Sequence, residues 1–420
     1  MHLPSTETDN TRITFLDNLR YLMIVLLVLF HTANAYTNIT SWWYVWDYST
    51  DAAFLTAYLI LFDAFAMATL FFIAGYFSLV SIRRYGAFVF VRNKLIHLGI
   101  PCLIGVLFLA PVCSYIGYYK HLNGQQLLGY GQFWVNWVGA AAGFQTGFRY
   151  YTDLNKFGQA AYWFISLLLF FSMIFSILFV LKDKVPFAAR VRKDEMQTGK
   201  KKLLVMLLVV CLCVFTYYIN LHISYPTQDP WAIILSVLQF QVFQLPVYAI
   251  YFGLGVYACS GNWFTRDNHF PGRPVFWAAV CAALSVAYLV ILVRLLSDMQ
   301  NTGLQMMAGV AGNFLTAAYL IVFMSLAPRY WNRPNKINES LAANSYNIYL
   351  IHLPIVVVLQ LLLTHLPGID SVMTFAAVFV VAFSTSYALS KYGLKKHPRL
   401  SIIAAGVIFL LMAVFVHPRA

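Results

Sequence analysis

Long apolar runs dominate this sequence. Stretches of about 20 mainly apolar residues recur along the 420-residue chain, and each is long enough to cross a lipid bilayer as a helix. The apolar residues are continuous rather than alternating, which excludes barrel strands, the other structure that satisfies its backbone inside a bilayer. Only 10% of the residues are charged, too few to cover a soluble surface. We therefore predict an all-α, polytopic integral membrane bundle.

The apolar runs predict about eleven transmembrane helices, or ten if the last run does not span. The predicted spans are 16–36, 52–80, 95–118, 161–181, 203–220, 231–259, 275–296, 308–327, 341–364, 372–390 and 401–416. Lys and Arg concentrate in the loops after the second, fourth, eighth and tenth spans, which all lie on one side. Positive loops face the cytoplasm. The amino terminus is therefore predicted to be cytoplasmic, and the net charge of +13 needs no nucleic-acid partner.

The chain is predicted to form one transmembrane domain, 1–420, with two notable connections. A basic cytoplasmic linker at 182–202 is too short and polar for a core of its own. An extracytoplasmic loop at 119–160 is rich in aromatic residues and glycine, which suits either an interfacial helix or lid, or packing against lipid headgroups. The six cysteines lie in apolar runs without CxxC spacing, which indicates packing roles rather than a metal site.

Three residues place ionisable groups inside the predicted membrane helices. Arg20 and His31 share one face of the first span, because eleven residues at 100° each return nearly to the same direction. Their separation along the helix is about 16 Å. His352 lies at a similar depth in the ninth span, which runs in the same direction. Such residues are costly in a bilayer and indicate function; an imidazole hydrogen-bonded within the bundle is the structural alternative for both histidines.

Further charged residues lie near the predicted ends of the second and third spans. Asp63, toward the outer end of span two, is placed to meet either a hydroxylated acceptor or interfacial water. At the inner end, a basic cluster suits phosphate binding, although a positive-inside loop has the same composition. This cluster consists of Arg83, Arg84, Arg92, Lys94 and His97. Asp17 precedes Arg20 by three residues, a spacing that favours an ion pair on one helix.

Five motifs, in this order, resemble the acyltransferase 3 family of integral membrane acyltransferases. They are Phe15-Leu-Asp-Asn-Leu-Arg20 followed by His31, Leu70-Phe-Phe-Ile-Ala-Gly-Tyr-Phe77, Trp163-Phe-Ile, Tyr251-Phe-Gly-Leu-Gly255 and Ser345-Tyr-Asn-Ile-Tyr-Leu-Ile-His352. Two segments look most like the branch of glucan biosynthesis protein C, which succinylates periplasmic glucans. These segments are Gly75-Tyr-Phe-Ser78 and His97-Leu-Gly-Ile-Pro101.

The resemblance implies transfer of an acetyl or succinyl group from cytoplasmic acyl-coenzyme A to a hydroxyl of an extracytoplasmic carbohydrate, such as a glucan or surface polysaccharide. It implies a multi-pass protein of the bacterial inner membrane, with no metal and with room for a separate periplasmic partner. His31 would be the central catalytic residue, acting either as a base or as a covalent acyl carrier. Arg20 would orient the donor, and His352 completes the predicted catalytic set.

The resemblance also suggests binding residues. The coenzyme A phosphates would meet the basic cluster of Arg83, Arg84, Arg92, Lys94 and His97. Asp63, Trp163 and Tyr349 are the predicted substrate-binding residues. The chain departs from the family pattern where relatives often have His before Leu-Trp-Phe-Leu, because Ala161-Tyr-Trp-Phe-Ile165 stands there.

The alternative function is a transporter or flippase of a lipid-linked or anionic solute along the Arg20 and His31 face; a scaffold without chemistry is the third hypothesis.

Overall fold

The chain folds into thirteen α-helices and one small sheet within the part that a computed structural model describes. The described residues are 13–40, 42–46, 52–121, 128–149, 156–181, 198–223, 231–264, 270–363 and 370–416. Residues 182–197 of the predicted linker lie outside these ranges. The helices are α1 Thr14–Ala33, α2 Ala53–Lys94, α3 Ile100–Ile104, α4 Ala110–His121, α5 Tyr130–Ala142, α6 Trp163–Leu181, α7 Gly199–Ile223, α8 Leu245–Ser260, α9 Pro274–Ser297, α10 Thr302–Tyr330, α11 Lys336–Leu363, α12 Ser371–Ala388 and α13 Pro398–Phe415.

The prediction of a polytopic helical bundle is confirmed. In the described ranges, nine helical stretches are long and apolar enough to cross a membrane. One of them, Ala53–His121, has 69 residues and accommodates two predicted spans. Gly86 interrupts it with a φ of 77°, a backbone conformation that glycine adopts without strain. Leu55 and Ile116 belong to one buried cluster, so the chain returns to the same end of the bundle after Gly86.

The prediction of a continuous sixth span, 231–259, is wrong. Its first part forms strands β2, Trp231–Ile234, and β3, Leu238–Gln241, which pair antiparallel with β1, Gly147–Arg149, in the order β1-β2-β3. Only the shorter helix α8 follows. An apolar run alone does not distinguish a strand from a helix. Here the distant 147–149 segment supplies backbone partners, and such irregular backbone is tolerated where protein buries it or it lines a cavity.

Helices α1 and α11 run parallel, as predicted for the first and ninth spans. The Tyr21 hydroxyl donates to the Asn338 side chain over 2.8 Å near the start of both helices. Near their other end, the Gln360 amide donates to the Thr32 carbonyl over 3.0 Å. We call the end of the bundle that holds Asn338 the basic face, and the end that holds Gln360 the cavity face.

Two glycines bring α2 and α8 into backbone contact. A Cβ atom on Gly75 would lie 2.0 Å from the Phe252 carbonyl oxygen, and one on Gly255 would lie 2.0 Å from the Phe72 carbonyl oxygen. Small residues of this kind permit close helix approach in membranes. The contact fixes α2, which carries Asp63, against the helix that follows the sheet.

Candidate active site

A cavity of about 290 Å³ lies between the cavity-face ends of α1 and α11 and the three-stranded sheet. Further walls come from α2, from α6 and from the segment that follows α1. Four of the predicted site residues line it: His31, Asp63, Trp163 and Tyr349. Sequence positions more than 300 residues apart therefore contribute to one pocket.

His31 and His352 form a direct hydrogen bond beside this cavity. The Nδ1 atom of His31 lies 2.8 Å from Nε2 of His352. The other ring nitrogen of His352, Nδ1, lies 2.7 Å from the Tyr349 carbonyl oxygen, which can only accept. His352 Nδ1 must therefore carry a proton. In the neutral ring its Nε2 is an acceptor, so His31 donates from Nδ1 and keeps an unprotonated Nε2.

The free nitrogen of His31 belongs to the cavity side of the pair. His31 is partly exposed and lines the cavity, whereas His352 is fully buried behind it. Within the described residues, His31 Nε2 has no hydrogen-bond partner. His31 lies in the last turn of α1, close to the cavity-face end of that helix. The arrangement presents one basic lone pair to whatever enters the cavity.

The local sequence of α11 explains why His352 is so firmly held. Pro354 has no N–H group and leaves the carbonyl of Leu350 without its helical partner. The Tyr162 hydroxyl, from the segment before α6, donates to that carbonyl over 2.6 Å. The Tyr349 hydroxyl donates to the Ala161 carbonyl one residue earlier in the same segment. Both bonds fix α11 against the entrance of α6.

Aromatic and polar side chains share the remaining cavity wall. Trp163 packs with its ring centroid 5.3 Å from that of Trp231 and 5.7 Å from that of Tyr248. Asp63 is exposed on α2 and lines the same space. Tyr44 lies in the loop after α1, where burial raises the pKa of its phenol and so keeps its hydroxyl protonated. The wall combines flat apolar surfaces with a carboxylate and a hydroxyl.

Arg20 lies apart from this cavity. It forms an ion pair with Asp17 at 3.0 Å, as the three-residue spacing suggested. The helical rise places it about 16 Å from His31, toward the basic face, and it does not line the cavity. Between them, Ile24 and Leu27 are buried, with exposed fractions of 5% and 4%. Arg20 and His31 share a helix but not a pocket.

The basic cluster surrounds the reversal of the chain at Gly86. Lys94 is half-buried. The other four members are exposed: Arg83, Arg84, Arg92 and His97. The Tyr346 hydroxyl donates to the His97 carbonyl over 2.6 Å, which ties the cluster to the first half of α11. In the described part of the chain, none of the five residues lines the cavity. The cluster forms a separate cationic surface.

Several cavity residues were not predicted from the sequence. Arg149 lines the cavity from strand β1, and Trp43 lines it from the loop after α1. A signal existed for Arg149, because a cation in a predicted extracytoplasmic loop runs against the positive-inside bias. Gln239 and Gln241 differ, because glutamines in the sixth predicted span indicate a polar helix beside an internal cavity. They do line the cavity, but from strand β3 rather than from a helix.

The residues present favour acid and base chemistry. Among the described residues, no group of three His, Cys, Asp or Glu side chains could hold a metal ion.

No curated protein and no solved structure matches the chain. The sequence profile described as an acyltransferase domain, acyltransferase 3, matches residues 13–391, nearly the whole chain. The chain therefore belongs to the acyltransferase 3 family and is a multi-pass membrane acyltransferase.

Proposed function

We propose that this protein is an O-acyltransferase that moves an acetyl or succinyl group from acyl-coenzyme A to a hydroxyl of an extracytoplasmic carbohydrate, such as a glucan or surface polysaccharide. The observation that carries the proposal is the bonded pair of His31 and His352, in which His31 lines an aromatic cavity and keeps one ring nitrogen free of the pair. The basic face would meet the cytoplasm at the bacterial inner membrane, in keeping with the positive-inside bias.

His31 acts as the general base in this proposal. Its Nε2 takes the proton of the acceptor hydroxyl while the hydroxyl oxygen attacks the thioester carbonyl carbon. A carbon–oxygen bond forms, the carbon–sulfur bond breaks, and the leaving sulfur takes the proton back from His31 to give free coenzyme A. A thioester is already activated, so positioning a base beside the hydroxyl supplies much of what the reaction needs.

His352 keeps His31 in the reactive tautomer. Its protonated Nδ1 is committed to the Tyr349 carbonyl, so its Nε2 can only accept from His31. When His31 gains a proton at Nε2, its Nδ1–H becomes a stronger donor to the same acceptor. The pair thus favours the imidazolium that forms during transfer. His352 is a positioning residue because it lies behind His31 rather than in the cavity.

The cavity wall suits a carbohydrate acceptor. Sugar rings present apolar C–H faces, which pack on flat aromatic rings such as Trp163, and hydroxyl edges, which hydrogen-bond to carboxylates and amides. Asp63 and Gln239 supply such groups around the cavity, and Arg149 adds a guanidinium, which can donate to a hydroxyl oxygen. The anionic donor would bind the basic cluster and Arg20 at the other face. Its thioester arm would follow α1 toward His31, which requires the buried Ile24 and Leu27 side chains to move.

An assay with the purified protein tests the proposed function. Acyl-coenzyme A labelled in the acyl group is incubated with the protein in detergent and with a glucan oligosaccharide. We expect a labelled ester on the oligosaccharide and an equal amount of free coenzyme A. A transporter or scaffold would form neither product, and transfer to water alone would contradict a carbohydrate acceptor.

Replacing His352 by phenylalanine should lower kcat on the order of 100-fold while the KM for the donor stays unchanged. The phenyl ring fills a similar volume but cannot accept the His31 proton, so His31 loses its fixed tautomer and orientation. Steady-state kinetics on folded protein checks this. The matched control is Tyr349→Phe, which removes only the bond to the Ala161 carbonyl and should cost less. Equal kcat values for wild type and His352→Phe would contradict the positioning role.

Removing positive charge around Gly86 should weaken donor binding. For the double variant Arg83→Ala and Arg92→Ala, we expect the KM for acyl-coenzyme A to rise about 30-fold or more with little change in kcat, because each lost charge-assisted contact to a phosphate is worth about 1 kcal/mol or more. High salt should reduce the difference in donor KM between the double variant and the wild-type protein. Arg294→Ala, at the end of α9, is the control for a lost surface cation. An unchanged KM in the double variant would place donor binding elsewhere.

A further inference from the structure

Gln360 joins the helix that carries His31 to the tryptophan beside it. This glutamine is fully buried on α11, about two turns after His352. Its Nε2 atom lies 3.2 Å from the His31 carbonyl oxygen and 3.0 Å from the Thr32 carbonyl oxygen. Its Oε1 atom lies 2.9 Å from the indole nitrogen of Trp43. One side chain therefore bonds both to the backbone of the turn that carries the reactive imidazole and to the Trp43 indole.

The partners of Gln360 fix the orientation of its amide. Backbone carbonyls only accept hydrogen bonds and an indole N–H only donates, so the amide nitrogen must face α1 and the amide oxygen must face Trp43. The two carbonyls lie in the last turn of α1, where carbonyl groups lack the normal helical N–H partner. Both amide hydrogens satisfy these groups. No rotated amide could make the same three bonds.

Trp43 is fixed at two points and covers His31. Its indole N–H bonds to Gln360, and its carbonyl oxygen lies 2.8 Å from Nε2 of His121, which donates to it. The indole and imidazole planes differ by 17°, with ring centroids 5.6 Å apart. An indole face next to an imidazole favours the positively charged ring over the neutral one. Trp43 is thus placed to stabilise a proton on His31.

We propose that Gln360 is a positioning residue for the general base, and that Gln360 and Trp43 act together as a clamp on His31. Gln360 holds the last turn of α1 and the Trp43 indole in one geometry. In that geometry Trp43 and His352 each contact the imidazole, while Nε2 points to the cavity. The inference rests on the proposed function, because a clamp on His31 matters for the rate only if His31 takes a proton.

The decisive variant is Gln360→Glu, which preserves the shape of the side chain. An ionised carboxylate can still accept from Trp43 but repels the His31 and Thr32 carbonyls, and a protonated carboxyl can donate to only one of them. We expect kcat to fall about 100-fold, the cost of a small displacement of a reacting group, with the donor KM within about twofold. Gln305→Glu is the matched control: Gln305 is also buried and donates to a carbonyl, that of Met299 at 2.7 Å, but on α10 away from the cavity.

A second readout separates positioning from a general loss of structure. Diethyl pyrocarbonate modifies accessible histidines, and peptide mass spectrometry reports its rate at His31. We expect the clamp variants to be modified severalfold faster at His31. In Gln360→Glu the last turn of α1 is released and the imidazole shifts from the Trp43 indole, and in Trp43→Phe a smaller ring covers the imidazole. If Gln360→Glu does not fold, the same two measurements are made on Trp43→Phe, which leaves the hydrogen bonds of α1 intact. If the variants have the same kcat and the same rate of His31 modification as the wild-type protein, the clamp is overturned. If the wild-type protein itself is inactive, the proposed function is overturned instead.

Discussion

The variant His31→Asn should lose between about 10²-fold and 10⁴-fold in kcat, the range that general base catalysis contributes. Asparagine places an N–H group near the position of Nδ1, so it can still donate to His352. It has no counterpart of Nε2, the nitrogen that faces the cavity. The substitution therefore removes the base and preserves the bond behind it. Steady-state rates of acyl transfer with saturating donor and acceptor measure the effect.

Labelling of the wild-type protein by the donor alone distinguishes the two roles that the sequence leaves open for His31, base or covalent acyl carrier. If His31 carries the acyl group covalently, wild-type protein mixed with labelled donor alone becomes labelled at His31. If His31 is only a base, no label remains on the protein after denaturation. Both roles use Nε2, because His352 holds Nδ1 and leaves one nitrogen for either the proton or the acyl group. A rate for His31→Asn equal to wild type would contradict both roles.

The second large effect is structural and concerns the glycine contact between α2 and α8. Gly75→Ala should destabilise the protein by about 1–3 kcal/mol or more, the range for overfilled cores. The new methyl group would lie 2.0 Å from the Phe252 carbonyl oxygen, which is backbone and cannot rotate away. The two helices would have to separate, and Asp63 would move with α2. Thermal unfolding in detergent, followed by circular dichroism, checks the prediction.

Gly253→Ala is the matched control on the same pair of helices. A Cβ atom on Gly253 would meet no atom within 4 Å, and Gly253 is exposed. Alanine has a higher helix propensity than glycine by about 1 kcal/mol. This control should therefore leave the midpoint of unfolding unchanged or raise it. Similar midpoints for the two variants would show that close approach of α2 and α8 does not limit stability.

The helical part of the fold and the shared depth of His31 and His352 could be predicted from the sequence. Helical periodicity and the direction of successive spans placed His31 and His352 at one level on parallel helices. Because a membrane span has a fixed length and alternates in direction, depth along the sequence translates into depth in the bundle. That reasoning does not determine which helices are neighbours. The bond between His31 and His352 required the packing of α1 against α11.

The sheet and the clamp could not be predicted, for two physical reasons. Residues 231–241 are apolar enough to be part of a membrane helix. They form strands because they pair with the distant strand 147–149. Gln360 appears in the sequence as an isolated glutamine in an apolar helix. Its meaning comes from three partners on α1 and on the loop after it. Such tertiary hydrogen bonds leave no local pattern.

Transfer of a labelled acyl group across the two faces of the protein tests the central claim most directly. The protein is reconstituted into liposomes that enclose a glucan oligosaccharide, and labelled acyl-coenzyme A is added outside. For molecules with the basic face outward, we predict labelled ester on the enclosed oligosaccharide, free coenzyme A outside, and loss of both products in His31→Asn. Intact labelled acyl-coenzyme A inside the liposomes, or equal ester formation by wild type and His31→Asn, would contradict acyl transfer at His31.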